Sequence, residues 1–166
     1  LVAGQPQRLQ LRELADLRRH GPCQLVGGQV DDLQAENTVG NAGQLQKIHE
    51  RKTGAMFRVS LRLGAIAADA TDEQITRLDT YGKHLGLAFQ IVDDLLDLQG
   101  DVEQLGKQTG KDTEHGKLTY PALMGVKESQ DLAEDLIKQA CEQLEPFGET
   151  AEPLRQLAYF VLERNN

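Results

Sequence analysis

The sequence has 166 residues, 39% of them hydrophobic, which is the length of one domain with enough apolar side chains to build its own core. Lys plus Arg number 18 and Asp plus Glu 26, and the resulting formal net charge of −8 argues against nucleic acid or an anionic membrane surface as a partner. No apolar run is long enough to cross a membrane, and LVAGQPQRLQ lacks a charged n-region with an apolar h-region, so neither export nor spanning is expected; Cys23 and Cys141 have neither disulfide-framework nor zinc spacing, so a reduced, cytoplasmic setting is expected.

The first stretch with chemical content is LVGGQVDDLQAE, 25–36, in a helical pattern. Gly27 and Gly28 cost that helix about 2 kcal/mol against alanine, which implies a close helix approach or a nearby ligand. Gln29 and Asp32, three residues apart, share a face, whereas Asp31 points elsewhere and reads as solvated.

The second element, LQKIHERKTGAMFRVSLRLGAIA at 45–67, carries apolar residues at helical steps. Counting about 100° per residue from Leu45 gathers Ile48, Ala55, Met56, Val59, Leu63 and Ile66 into one arc, and Lys52 falls inside it. Arg51, Arg58 and Arg62 lie on the rim of the arc, where they snorkel or are solvated. An inward ammonium at Lys52 needs a counter-charge, which is either a structural carboxylate or a ligand anion.

The third helix, ITRLDTYGKHLGLAFQIVDDLLDLQ at 75–99, is apolar around most of its circumference, with Tyr81, Leu85, Ala88, Phe89, Val92, Leu95 and Leu96 on one broad face and Leu87 and Ile91 extending it. Lys83, Gln90, Asp93, Asp94 and Asp97 form the remaining polar stripe. That stripe faces solvent as an acidic helix end, or it lines an internal cavity in which a cation relieves the repulsion between neighbouring carboxylates. Oxygen donors of this kind suit Mg²⁺, which takes one or two carboxylates together with waters and substrate phosphates.

Residues 100–117, GDVEQLGKQTGKDTEHGK, read as a long loop with lysines at 107, 111 and 117, a basic segment in an acidic chain and the natural place for anion binding. A helix follows at 131–144, then a turn, PFGETAEP, at 146–153 and a last helix through AYFVLERNN. No segment alternates as a strand and no repeat is present, so the expectation is a single all-α domain over 1–166.

GLAFQIVDDLLDLQGDVEQLGKQTGKDTEHGKLTYPAL resembles the second aspartate-rich region and following loop of the short-chain trans-isoprenyl diphosphate synthases; GGQVDDLQAE, IHERKTGAMFRVSLRLGAI and the terminal YFVLERNN are similar, in order, to other stretches of the bacterial farnesyl and geranylgeranyl enzymes. The resemblance covers about residues 25–166 and implies the C-terminal part of the isoprenoid-synthase helical bundle, with Mg²⁺ as cofactor and isoprenyl diphosphates as substrates. By position it implies Asp93, Asp94 and Asp97 as metal ligands, Lys52, Lys107 and Lys117 as diphosphate-binding residues, Thr53 and Gln90 beside the reacting carbons, and Gln29 and Asp32 in the cavity wall.

The family pattern runs to roughly twice this length, and its first aspartate-rich motif and isopentenyl diphosphate-binding set have no counterpart in this sequence. Two readings therefore stand: a synthase, incomplete in the sequence given, or a non-catalytic relative that binds Mg-diphosphate or acts as a helical partner. A generic acidic interaction module is a weaker third, because it gives no reason to bury Lys52. Helices that ordinarily enclose a cavity with the other half would expose apolar faces, so a homodimer is expected.

Overall fold

The computed structural model describes Gly27, residues 41–105 and residues 118–164. Among these residues every regular element is helical: α1 (Ala42–His49), a π-helical turn (Glu50–Gly54), α2 (Ala55–Ala67), α3 (Asp72–Leu105), α4 (Tyr120–Met124), α5 (Val126–Gln143), a 3-10 segment (Glu145–Ala151) and α6 (Glu152–Glu163). The expected all-α class holds.

Local signals set the helix starts. The Asn41 side chain accepts the N–H of Gln44 at 3.0 Å to open α1. At the start of α3, Thr71 and Gln74 satisfy each other's backbone donors, with Thr71 Oγ1 accepting from Gln74 N at 3.3 Å and Gln74 Oε1 from Thr71 N at 2.9 Å. Thr119 caps α4, and Gly125, at φ 95°, separates it from α5 in a conformation that a side chain would resist.

The 34-residue helix α3 is the hub: α2 and α5 pack along its length, and the other α-helices among the described residues also touch it. Its apolar residues behave as their arrangement requires, with Tyr81, Leu85, Ala88, Ile91, Val92 and Leu95 all buried. The Tyr81 hydroxyl donates to the Leu154 carbonyl at 2.8 Å, which ties α6 to the hub; burial pushes this phenol far above its ordinary pKa.

Two boundaries differ from the sequence expectation. Helix α3 continues through Leu105, so residues 100–105 are helical rather than loop, because one glycine costs a long helix only about 1 kcal/mol and Glu103, Gln104 and Leu105 are good helix formers. Helix α5 starts at Val126 rather than 131, since its first turn is polar and gives no apolar period to read.

A larger correction comes from the π-turn. One residue more than an α-turn enters the helix at Glu50–Gly54, and everything after it is set back by about 100°. Phe57, Leu61 and Ala65 therefore take the core-facing side of α2, and Met56 and Leu63, expected inside, are 53% and 39% exposed. Of the rim arginines, Arg58 makes two hydrogen bonds to the Asp79 carboxylate, at 3.1 and 2.7 Å, and Arg62 lies 3.9 Å from the same group.

The π-turn rests directly on α3. A methyl group on Gly86 would lie 2.8 Å from Gly54 Cα, and one on Gly82, a turn earlier, 2.7 Å from Leu61 Cδ1. Gly86→Ala is therefore expected to destabilise the protein by about 1–3 kcal/mol through overpacking. Gly64→Ala, on α2 with nothing within 4 Å, is the control and is expected to stabilise by up to about 1 kcal/mol. Thermal melts of the two variants check the opposite signs.

Candidate functional site

Seating the π-turn on Gly86 brings two sets of polar residues to adjoining parts of the bundle. Lys52 and Thr53, both half-buried, lie within the turn. On α3, Gln90 is one helical turn beyond Gly86, Asp93 about two, and Asp97 about three. Two further contacts fix the turn's flanks: Glu50 Oε1 is 3.5 Å from Lys83 Nζ, and His49 Nε2 is 3.7 Å from Asp94 Oδ2.

The three aspartates occupy different environments. Asp93 is half-buried, Asp97 exposed and Asp94 buried. Helical geometry explains the division, because Asp94 lies about 100° round the helix from Asp93 and close to the direction of Leu87, which is itself buried. Both Asp93 oxygens have protein partners: Arg164 Nη2 lies 3.0 Å from Oδ1, and the Gln90 amide donates to Oδ2 at 3.4 Å. Burial pushes the Asp93 carboxyl above its ordinary pKa, Arg164 opposes that by charge and hydrogen bond, and Asp97 and Asp94 add to the rise.

Arg164 closes this face from the end of α6. Its guanidinium carbon sits 4.7 Å from the centre of the Phe89 ring, and Phe89 in turn packs on Phe57 at 5.6 Å. The other terminal nitrogen of Arg164, Nη1, is buried with no hydrogen-bond partner.

Asp94 faces inward. Its Oδ2 accepts the backbone N–H of Tyr120 at 3.0 Å, where α4 begins. The His49 ring stacks on the Tyr120 ring at 5.8 Å, and the Tyr120 phenol is pushed up to about 12, first by burial and then by Asp94 and Glu50.

Gln29, Asp32, Lys107 and Lys117 lie outside the described residues. Gly27, from the same stretch as Gln29 and Asp32, is helical, and a methyl group there would lie 2.5 Å from Arg51 Nη2, in keeping with the close approach its glycines imply. Sequence reasoning passed over His49, Tyr120 and Arg164. The same angular count places His49 at about 40°, on the edge of the apolar arc beside Lys52, so it was legible there. Nothing in the terminal ERNN distinguishes Arg164.

As metal donors, Asp93 and Asp97 offer hard oxygens four residues apart on one face of α3. The described residues contain no cluster of three or more potential ligands. Such a pair fits a Mg²⁺ ion that arrives with phosphate oxygens, not one held by protein alone. A concave apolar surface of about 420 Å³, walled by Leu61, Ala65, Leu78, Phe147 and Leu154, lies about three turns from Gln90 along α3 and holds none of the candidate residues. No helix among the described residues is long and apolar enough to cross a membrane.

Comparison with known proteins adds to this geometry. The sequence profile of the polyprenyl synthetases matches residues 7–152. The dimethylallyltranstransferase of Fischerella ambigua is 44% identical over 147 residues, covering 88% of this chain and 42% of that protein. The farnesyl diphosphate synthase of Escherichia coli is 41% identical over 149 residues, covering 87% and 50%. Among solved structures, the geranyltransferase from Helicobacter pylori complexed with magnesium and isoprenyl diphosphate matches with a TM-score of 0.67 and 28% identity, over 94% of this chain and 52% of that one. The chain spans about half the length of the curated relatives it matches.

Because Arg164 is the group that lowers the Asp93 pKa, Arg164→Gln is expected to raise it further, which a carboxyl-carbon NMR titration reads directly. The sign for stability follows. With its folded pKa above the unfolded value, Asp93 favours folding at low pH, and that contribution is lost as pH rises through the folded pKa.

Proposed function

Because the chain belongs to the polyprenyl synthetase family, we propose that it is a prenyltransferase of the isoprenyl diphosphate synthase type, or the C-terminal part of one. The reaction is the head-to-tail condensation of isopentenyl diphosphate with an allylic diphosphate. What carries the reading is the seating of the Lys52–Thr53 turn on α3 at Gly86, which sets a cation-bearing turn beside the face that carries Gln90, Asp93 and Asp97.

In this reading Asp93 and Asp97 hold Mg²⁺ together with the diphosphate, in keeping with a relative of known structure that contains both. Magnesium, when bound, supplies positive charge to the departing diphosphate. The chain's own cations act on the same anion: Lys52, with Lys107 and Lys117, binds the diphosphate and stabilises the charge that develops as it leaves. Gln90 donates its N–H to Asp93, which leaves the amide oxygen as the dipole available to a developing allylic cation; Thr53 stands beside the same carbons. The same proposal assigns Gln29 and Asp32 to substrate binding.

The molecule works as a homodimer in the cytoplasm. Support for the dimer comes from the side chains of Met56, Tyr159 and Phe160, each more than half exposed, which a second copy would cover. A second reading is that the chain binds Mg-diphosphate, through Asp93, Asp97 and Lys52, without completing the condensation.

Incubation with Mg²⁺, isopentenyl diphosphate and an allylic diphosphate, with product detection by mass spectrometry, separates the two. Condensation product is expected, and Asp93→Ala and Lys52→Ala are each expected to reduce its rate by about 10²-fold or more. No product, with Mg²⁺-pyrophosphate binding that both variants weaken in calorimetry, would instead establish the second reading; absence of binding would end both. Light scattering at micromolar concentration is expected to give the mass of a dimer.

A further inference from the structure

The buried half of the aspartate pair has a different task from its neighbour. Asp94 is 5% exposed, and His49, which faces it, is 6% exposed. A buried carboxylate is costly unless hydrogen-bonded, and Asp94 meets that requirement inside the bundle by accepting the Tyr120 N–H at 3.0 Å. His49 Nε2 stands 3.7 Å from the same oxygen, and neither of its ring nitrogens has a hydrogen-bond partner. The imidazole is held instead by its stack on Tyr120, with ring planes 23° apart.

Three segments meet at this one oxygen: the last residue of α1, immediately before the π-turn; the middle of α3; and the first residue of α4. The geometry points to Asp94 as a positioning residue, not a metal ligand, which with His49 and the Tyr120 amide forms a clasp that fixes the Lys52–Thr53 turn relative to the acidic face. The inference rests on the proposed Mg-diphosphate chemistry for its consequence and on the interior contacts for its existence. Asp93 and Asp94 are adjacent in sequence, yet one faces the ligand and the other holds the frame. An α-helix can do this because successive residues point about 100° apart.

Two measurements on the full chain test it. The first uses amide hydrogen exchange and backbone NMR without ligand. Asp94→Ala is expected to speed exchange of the Tyr120 N–H by tenfold or more and to shift the Lys52 and Thr53 amide resonances, while Asp93→Asn leaves all three as they were. The second is calorimetry with Mg²⁺ and inorganic pyrophosphate. Asp93→Asn is expected to weaken binding tenfold or more and Asp94→Ala by a similar factor. Asp94→Asn, whose side-chain oxygen still accepts from Tyr120, is expected to recover most of that loss.

Asp94→Asn that weakens binding as much as Asp93→Asn would overturn the assignment and return Asp94 to the metal. Unchanged Tyr120 exchange and unchanged turn resonances in Asp94→Ala would overturn it as well. If Asp94→Ala does not fold, His49→Gln takes its place: perturbed Lys52 and Thr53 resonances are expected, and an undisturbed spectrum sinks the clasp. Should the wild-type chain bind no pyrophosphate, the proposed function fails while the clasp is still judged by the exchange data.

Discussion

The whole site depends on a backbone contact. Gly54, at the end of the π-turn, and Gly86, on α3, approach so closely that a single methyl on Gly86 would collide with the opposing Cα. Two helices usually keep 8–10 Å between their axes, with side chains filling the gap. Removing both side chains at the crossing lets the turn that carries Lys52 and Thr53 lie against the hub. The π-turn itself changes the facing of the chain: before it Leu45 and Ile48 point into the core, and after it Phe57, Leu61 and Ala65 do. A wide turn and a close crossing are thus parts of one arrangement, and both fall where the candidate chemistry is.

Around that contact the charges are disposed by burial. Asp93, half out of water, has an arginine on one oxygen and an amide on the other, so the protein itself sets a cation against the carboxylate that is proposed to meet magnesium. Such a pair lowers the cost of holding a partly buried carboxylate before any ligand arrives. The guanidinium is itself supported by the Phe89 face, and through it the end of α6 is tied to the middle of α3. Asp94 is satisfied by an entirely different set of groups, at the junction of α1, α3 and α4. The adjacent carboxylates repel less than their sequence spacing implies because they point into separate environments.

Family membership places this arrangement in a wider frame, since the relatives run to about twice the span that the chain covers. Apolar side chains on the outside of α2 and α6, Met56, Leu157, Tyr159 and Phe160, are those that further polypeptide or a second copy would cover. They stand apart from the inward-facing core, which the hub helix organises by itself.

Sequence alone determined the helical class, the heavy burial of α3 and the polar stripe along it, because these follow from local periodicity and hydrophobicity. It also singled out Lys52, Gln90 and Asp93, since polar residues in an apolar pattern are conspicuous. Straight angular counting failed after residue 54: a π-turn is one inserted residue that no local propensity announces, and it moved Met56 and Leu63 from the expected core to the surface. The different fates of Asp93, Asp94 and Asp97 were visible as angles but not as environments. Which neighbour fills each direction depends on partners at sequence separations of 26 for Tyr120 to Asp94 and 71 for Arg164 to Asp93. Periodicity tells which way a side chain points; only tertiary packing supplies what it meets there, because that contact is made between segments the local pattern does not relate.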